Sequence, residues 1–205
     1  MASGGEDKTI KVWDLEAGRC LWSGEEHTGT VNSVAFHPLA SALQLASASN
    51  DKTIKVWEIE RQNACVWTAM GHEEAVLTLA YSPCGTRLAS GSLDKTVRMW
   101  DISAEVVSWI GEGHDDAVTC VAYSPDGLRV ATGSRDKTVA MWDVWSGERL
   151  WTGEGHEGAL TAMAYKPSGD LLASASTDRT IRLWDACMQV CVKVSSPTFG
   201  GLVPG

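Results

Sequence analysis

The chain is built from a unit that repeats about every 42 to 45 residues. A tryptophan followed by an aspartate or glutamate closes each unit, in steps of 44, 43, 42 and 42 residues: Trp13, Trp57, Trp100, Trp142 and Trp184. A histidine precedes the last four of these tryptophans by 30, 28, 28 and 28 residues: His27, His72, His114 and His156. A period of this length with these ends predicts similar supersecondary units that pack against their neighbours.

Each unit is predicted to contain four short strands. In residues 69–110 the segments AVLTLAYS, TRLASGS, TVRMWDI and VVSWIG are rich in β-branched and aromatic residues. The Ser-Pro-x-Gly sequences at 82–85 and 124–127 suit tight turns, because proline fixes φ at the second position and glycine is unrestricted at the fourth. The strands are apolar on both faces, as expected of small sheets that are covered on both sides. The sequence therefore predicts an all-β fold.

The repeat resembles the WD-repeat β-propeller family over residues 1–194. The resemblance is carried by Gly-His at 71–72, 113–114 and 155–156, and by Trp-Asp at 13–14, 100–101, 142–143 and 184–185. Two copies depart from the pattern, with Glu26 before His27 and Glu58 after Trp57. The resemblance implies a β-propeller of four-stranded antiparallel blades, with four full blades and a partial N-terminal blade. The expected boundaries are 1–23 for the partial blade, then 24–68, 69–110, 111–152 and 153–194, with a tail at 195–205.

The partial blade leaves the closure of the ring open to three interpretations. The chain is a fragment of a larger, seven-bladed propeller, or it assembles with a second chain, or it closes as five blades with the tail SSPTFGGLVPG supplying the missing strand. The last is disfavoured because the tail has three glycines, two prolines and no apolar alternation.

Each full unit also contains a Ser or Thr and an Asp in addition to its His, which are the parts of a nucleophilic triad. The resemblance instead places them, with the closing Trp, in structural tetrads. These are His27/Ser47/Asp51/Trp57, His72/Ser90/Asp94/Trp100, His114/Thr132/Asp136/Trp142 and His156/Ser174/Asp178/Trp184, with a partial set Ser3/Asp7/Trp13. The chemistry agrees, because a buried indole N–H needs an acceptor and a hydroxyl can accept it and donate onward to imidazole. A catalytic site would occur once, whereas this set occurs four times.

The resemblance further implies partner-binding positions on one face of the propeller, at the third and fifth residues after each His and the residue before each tetrad Asp. The positions expected to bind partners are Asn32, Asn50, Leu77, Leu93, Thr119, Arg135, Thr161 and Thr177. Arg135 beside Leu93 is the preferred anchor because interface hot spots are enriched in arginine and large side chains; the alternative is that these are solvated loop residues.

Two further patterns bear on this surface. Acidic residues flank each His, and the adjacent hairpin turns carry Lys8, Lys52, Lys95, Lys137 and Arg179. An acidic ring would select a basic peptide, unless the two rings neutralise one another. A second Trp series lies five residues before each His (Trp22, Trp67, Trp109 and Trp151) and is expected to pack at the blade edge or to form an aromatic rim. Trp145 lies in a turn and is the aromatic residue expected to be most exposed.

Composition and motifs exclude several functional classes. A net charge of −9 argues against binding to nucleic acid or to an anionic membrane surface. The six cysteines are scattered without zinc-site spacing, so we expect reduced thiols, no metal and no cofactor. These features favour a soluble cytoplasmic protein, with the nucleus as an alternative.

The sequence thus favours a non-catalytic protein-interaction scaffold that docks partner peptides or domains and assembles a complex. Two alternatives remain, a propeller-borne hydrolase and the structural or sensor part of a larger signalling protein.

Overall fold

A computed structural model describes residues 1–39, 43–60 and 64–196. Antiparallel strands form one three-stranded and four four-stranded sheets, which follow one another along the chain. This confirms the expected all-β fold of four full blades and one partial blade. Most of the tail, residues 197–205, lies outside the described residues.

The strands of each sheet are neighbours in sequence. The first sheet contains β1 (Ala2–Gly4), β2 (Ile10–Asp14) and β3 (Arg19–Gly24). The second contains β4 (Val31–Phe36), β5 (Gln44–Ser49), β6 (Ile54–Glu58) and β7 (Ala64–Ala69). The third contains β8 (Val76–Tyr81), β9 (Arg87–Ser92), β10 (Val97–Asp101) and β11 (Val106–Gly111). The fourth contains β12 (Val118–Tyr123), β13 (Arg129–Ser134), β14 (Val139–Asp143) and β15 (Arg149–Gly153). The fifth contains β16 (Leu160–Tyr165), β17 (Leu171–Ser176), β18 (Ile181–Asp185) and β19 (Val190–Ser195).

Local chemistry sets the strand ends. The turn between the second and third strands of each four-stranded sheet, and between the first and second strands of the three-stranded sheet, places a basic residue at positive φ, between 65° and 74°: Lys8, Lys52, Lys95, Lys137 and Arg179. The last strand begins at Val190, two residues later than the segment MQVCVKV suggested. The reason is a turn in which Asp185 Oδ1 accepts hydrogen bonds from the backbone N–H of Cys187 and of Met188.

The core lies between the sheets rather than within one sheet. Ala46, Ile54 and Val56 of the second sheet are buried in one cluster with Leu88 and Trp100 of the third. Similar clusters join the other neighbouring sheets. Because every sheet contributes apolar side chains to both of its faces, each sheet depends on its neighbours for burial, as in other repeat proteins.

One face of the fifth sheet is an exception to this pattern. Ile181, the first residue of β18, is 49% exposed. The residues at the same position of the other four sheets are at most 1% exposed: Ile10, Ile54, Val97 and Val139. No other sheet of the described part of the chain covers this face.

The strand order places two kinds of loop at each end of the sheets. One end carries the turns between second and third strands and the loops that connect successive sheets; we call it the tetrad face, because it contains the tetrad His and Asp residues. The opposite end carries the other turns, and we call it the opposite face.

Candidate functional site

Hydrogen bonds join the four members of each predicted tetrad. The tetrad Trp donates its indole N–H to the Ser or Thr hydroxyl at 2.8, 2.8, 2.9 and 2.8 Å along the chain. That hydroxyl lies 2.8, 2.8, 2.9 and 2.8 Å from His Nε2. His Nδ1 lies 2.7, 2.7, 2.7 and 2.8 Å from an Asp carboxylate oxygen. Each chain of bonds therefore links the interior of its sheet to the tetrad face.

The direction of these bonds fixes the protonation of the histidine. The Asp136 carboxylate can only accept, so His114 carries a hydrogen on Nδ1 and donates it to Asp136. Nε2 of the neutral ring then accepts the hydroxyl hydrogen of Thr132, whose oxygen accepts the Trp142 N–H. Protonation of Nε2 would remove the acceptor of the Thr132 hydroxyl. Burial lowers the pKa of His114 and likewise of His27, more strongly than the neighbouring carboxylates raise it.

Each tetrad Asp accepts four hydrogen bonds. Oδ2 of Asp136 accepts from His114 Nδ1 and from the backbone N–H of Asp115, while Oδ1 accepts from the backbone N–H and hydroxyl of Thr138. Burial alone would raise the pKa of such a carboxyl group, but these donors more than offset it. In the second sheet they lower the pKa of Asp51 to about 2.

The Thr that follows the basic turn residue is a member of the network that the sequence reasoning missed. Its hydroxyl donates to the tetrad Asp at 2.6 to 2.7 Å in all four full sheets: Thr53, Thr96, Thr138 and Thr180. The recurring Asp-basic-Thr sequence was visible at each turn, but it is also ordinary turn composition.

This geometry does not present a nucleophile. The four hydroxyl groups belong to side chains that are at most 1% exposed: Ser47, Ser90, Thr132 and Ser174. Each hydroxyl is hydrogen-bonded to both Trp and His and is shielded from solvent. It is therefore not accessible for attack on a substrate. We therefore propose a structural role for the four sets.

The first sheet contains a shorter version of the network. Trp13 donates its indole N–H to Ser3 Oγ at 2.8 Å. Asp7 accepts from the backbone N–H of Thr9 and from Lys11 Nζ, each at 3.1 Å. No histidine precedes His27 in the sequence. Lys11 donates to the Asp7 carboxylate here, whereas a histidine donates to the Asp carboxylate in the other four sheets. The structure thus brings Ser3 and Trp13 together and leaves Asp7 in a separate ion pair.

Two of the expected partner-binding residues connect neighbouring sheets. Asn32 Nδ2 donates to Asn50 Oδ1 at 2.7 Å and to the Val76 carbonyl oxygen at 2.8 Å. Thr119 Oγ1 donates to the Leu160 carbonyl oxygen at 2.6 Å. These side chains stabilise contacts between sheets, so they have less capacity left for a partner.

The residues before the tetrad Asp are presented differently. Asn50, Leu93, Arg135 and Thr177 are all exposed on the tetrad face. In each, the backbone N–H donates at 2.9 Å to a carbonyl oxygen of the preceding loop: Thr30, Ala75, Ala117 and Ala159. Thr161 is also exposed, whereas Leu77 is half-buried. Asn50, Leu93, Arg135 and Thr177 therefore form a row of different side chains whose backbones are all held by the same kind of hydrogen bond.

The acidic and basic groups of the tetrad face are partly paired. Lys52 Nζ donates to the Glu73 carbonyl oxygen at 2.6 Å and lies 3.9 Å from Glu74. Lys55 pairs with Glu26 at 3.4 Å. The exposed pair of Lys52 and Glu74 contributes little to stability, and Asp115, Asp116 and Glu157 add further negative charge to the surface.

The second Trp series packs between sheets. Trp22 lies against Trp57 of the next sheet, with ring centroids 5.6 Å apart. The same contact recurs for Trp67 with Trp100, Trp109 with Trp142 and Trp151 with Trp184, at 6.1, 6.2 and 5.3 Å. Trp145 is instead 68% exposed, on the opposite face.

Within residues 1–39, 43–60 and 64–196, no cluster of His, Cys, Asp or Glu is arranged to hold a metal ion. The same part of the chain has no helix with the length and apolar character of a membrane span.

Comparison with known proteins agrees with the repeat architecture. The family model "WD domain, G-beta repeat" matches residues 1–14, 18–58, 63–101, 107–143 and 147–185. Two proteins described as Lissencephaly-1 homologs, from Heterostelium pallidum and Dictyostelium discoideum, are each 46% identical over 43 residues. Those matches cover 21% of this chain and 10% of each relative, about the length of one repeat. Repeats of this kind are typical of non-catalytic scaffolds for protein interactions. Since its repeats match along most of its length, the chain belongs to the WD-repeat family.

Proposed function

We propose that this protein is a non-catalytic scaffold that docks a protein or peptide partner on its tetrad face and assembles a complex. The observation that carries this proposal is the exposed row of Asn50, Leu93, Arg135 and Thr177. Each backbone is held by the same 2.9 Å hydrogen bond, whereas the side chains differ. A rigid frame that presents variable side chains suits selective docking, because little conformational entropy is lost on binding.

The charge of this face supports a basic partner. Glu73, Glu74, Asp115, Asp116 and Glu157 all lie beside tetrad histidines and are exposed. The formal net charge of the whole chain is also negative, at −9. A positively charged peptide would be attracted to this face and would associate faster at low ionic strength. Leu93 then supplies apolar contact area, and Arg135 selects for a carboxylate or an aromatic group of the partner.

We further infer a reducing compartment, the cytoplasm or alternatively the nucleus. All six cysteines are unpaired in the structure, including the exposed Cys20, Cys84 and Cys187. Proteins of oxidising compartments more often use such residues in disulfides.

A further part of the proposal concerns the exposed face of the fifth sheet. On the other sheets the residues equivalent to Ile181 are covered by a neighbouring sheet. We expect the same kind of cover here, from additional blades or from a second chain.

The docking proposal is tested with Arg135→Glu, compared with Arg19→Glu as a control of equal charge change. Arg19 is exposed at the start of β3, at the opposite face. Partners are identified by proximity labelling in cells that express each protein, and their binding is measured with purified components. We expect the direct partner to bind Arg135→Glu at least about tenfold more weakly, while Arg19→Glu binds normally. Equal binding to the wild type and Arg135→Glu would contradict the proposal.

A further inference from the structure

A cavity opens on the opposite face, between the fourth and fifth sheets. Ser124, Asp126 and Arg129 of the fourth sheet line one side, and Tyr165, Asp170 and Cys187 of the fifth line the other. The Arg129 side chain crosses between the sheets, and its Nη1 donates to the Ala186 carbonyl oxygen at 2.8 Å. This bond fixes the guanidinium group at the edge of the cavity.

The preceding pair of sheets contains a similar arrangement, with an aromatic ring over the arginine. Arg87, 42 residues before Arg129, donates from Nη1 to the Val144 carbonyl oxygen at 3.2 Å. There the guanidinium carbon also lies 4.1 Å from the centroid of the Trp145 ring. The position of Trp145 is taken by Cys187 in the fifth sheet, 42 residues later. The cavity therefore occupies the place where, one repeat earlier, an aromatic ring covers an arginine.

We propose that this cavity binds an aromatic side chain, of tryptophan size, from a partner protein, and that the ring stacks on the guanidinium of Arg129 as Trp145 stacks on Arg87. A guanidinium held in place by a backbone carbonyl is preorganised for this contact, since its side-chain entropy is already lost. Tryptophan and arginine are also the residues most often found at interface hot spots. The small Cys187 side chain leaves room for the ring.

The charges around the cavity decide what flanks the aromatic residue. Asp126 and Asp170 are exposed beside Arg129. A hydrogen bond from Ser124 lowers the pKa of Asp126, and bonds from Ser168 and Lys166 lower that of Asp170, so both are ionised at neutral pH. Asp170 is already paired with Lys166 at 3.0 Å. Asp126 is therefore the carboxylate that disfavours an anionic neighbour of the partner's aromatic residue and favours lysine or arginine there.

The test is a titration of the full chain with acetyl-Lys-Trp-Lys-amide, followed by the NMR signals of the Arg129 side-chain N–H and of the backbone amides at Asp126 and Gly169. We expect saturable shifts with a dissociation constant of about 1 mM or below. Acetyl-Lys-Ala-Lys-amide and acetyl-Glu-Trp-Glu-amide should each bind at least about tenfold more weakly.

Two variants locate the binding. Cys187→Trp should place a ring of the protein's own over Arg129 and weaken the Lys-Trp-Lys peptide at least about tenfold. Cys20→Trp, at an exposed cysteine of β3, should leave its affinity unchanged. If Cys187→Trp does not fold, Arg129→Lys serves instead, because it keeps the charge but loses the planar group, and it should also weaken binding.

Several results would overturn the inference. They are equal affinity for the Lys-Ala-Lys peptide, competition by inorganic phosphate, which would show an anion site, and the absence of shifts at about 10 mM peptide. The inference shares with the proposed function only the expectation of a protein partner. Because the peptide titration reports on the cavity alone, and Arg135 lies on the tetrad face, either proposal can fail without the other.

Discussion

Replacing Asp136 by Asn should destabilise this protein far more than such a conservative change normally does. Each carboxylate oxygen of Asp136 accepts two hydrogen bonds. Oδ1 accepts from the backbone N–H and the hydroxyl of Thr138, and Oδ2 accepts from His114 Nδ1 and the Asp115 backbone N–H. An asparagine keeps one of these oxygens and replaces the other by an NH₂ group. With the NH₂ group in the place of Oδ2, the N–H donors of His114 and of the Asp115 backbone face it. In the place of Oδ1, the backbone N–H of Thr138 faces it, whereas the Thr138 hydroxyl can turn to accept.

The histidine cannot relieve this conflict without a new cost. If His114 moved its hydrogen to Nε2, Nδ1 could accept from the asparagine. Thr132 would then receive hydrogens from both His114 and Trp142, and its own hydroxyl hydrogen would lose its acceptor. Either outcome leaves one or two buried donors unsatisfied and removes a charge-assisted bond. We expect the free energy of unfolding to fall by about 2–4 kcal/mol.

Asp126 provides the matched control. It lies in a turn of the same sheet, and Oδ1 alone accepts from Ser124 Oγ and from the Leu128 backbone N–H. The carbonyl oxygen of an asparagine can accept both bonds, so Asp126→Asn should change stability by at most about 0.5 kcal/mol. Urea unfolding at pH 7.5, followed by tryptophan fluorescence, measures both variants. A midpoint for Asp136→Asn equal to that of Asp126→Asn would refute the four-donor description.

Three further predictions follow from the packing and the protonation of the tetrads. Because burial lowers the pKa of His27 and His114 in the folded state, the stability they contribute is present above the unfolded pKa of about 6.5 and is lost as the pH falls. Between pH 7.5 and 5.5 the free energy of unfolding should fall by up to about 1.4 kcal/mol per pH unit for each histidine, and the urea midpoint should fall with it. A constant midpoint would contradict this. Gly133→Ala should lower the free energy of unfolding by about 1–3 kcal/mol, because its Cβ would lie 2.7 Å from Cys120 Sγ and 2.8 Å from Leu160 Cδ2, and an unchanged melting temperature would argue against this close packing of sheets. At Lys137, where φ is 74°, Gly should be tolerated whereas Val should cost about 1–2 kcal/mol, so equal melting temperatures of the two variants would exclude the left-handed backbone.

The sequence predicted the parts of the fold that repeat. The 28-residue spacing of His114 and Trp142 recurs in three of the four full units and is 30 in the other, and the hydrogen-bonded set that contains them recurs in all four. Contacts between sheets were harder to predict, because they join residues of different repeats. The bond from Asn32 to the Val76 carbonyl spans 44 residues and has no local pattern.

The cavity next to Arg129 could not have been predicted from either repeat alone. It results from a difference in side-chain size between Cys187 and Trp145 at equivalent positions, and its meaning depends on the contact between Trp145 and Arg87. Sequence comparison of the repeats shows the substitution, but only the packing of adjacent sheets shows which arginine it uncovers.

The paired tryptophans also explain how chains of this type can lengthen during evolution. Each contact runs in one direction, from the last strand of one sheet to the tetrad Trp of the next, as from Trp67 to Trp100 and from Trp109 to Trp142. A duplicated unit carries both halves of this contact, so it meets a compatible surface on either side wherever it is inserted. Gene duplication can therefore add whole sheets without new compensating substitutions at the junctions. The segment that keeps both halves together runs from the last strand of one sheet to the tetrad Trp of the next, as from Trp67 to Trp100.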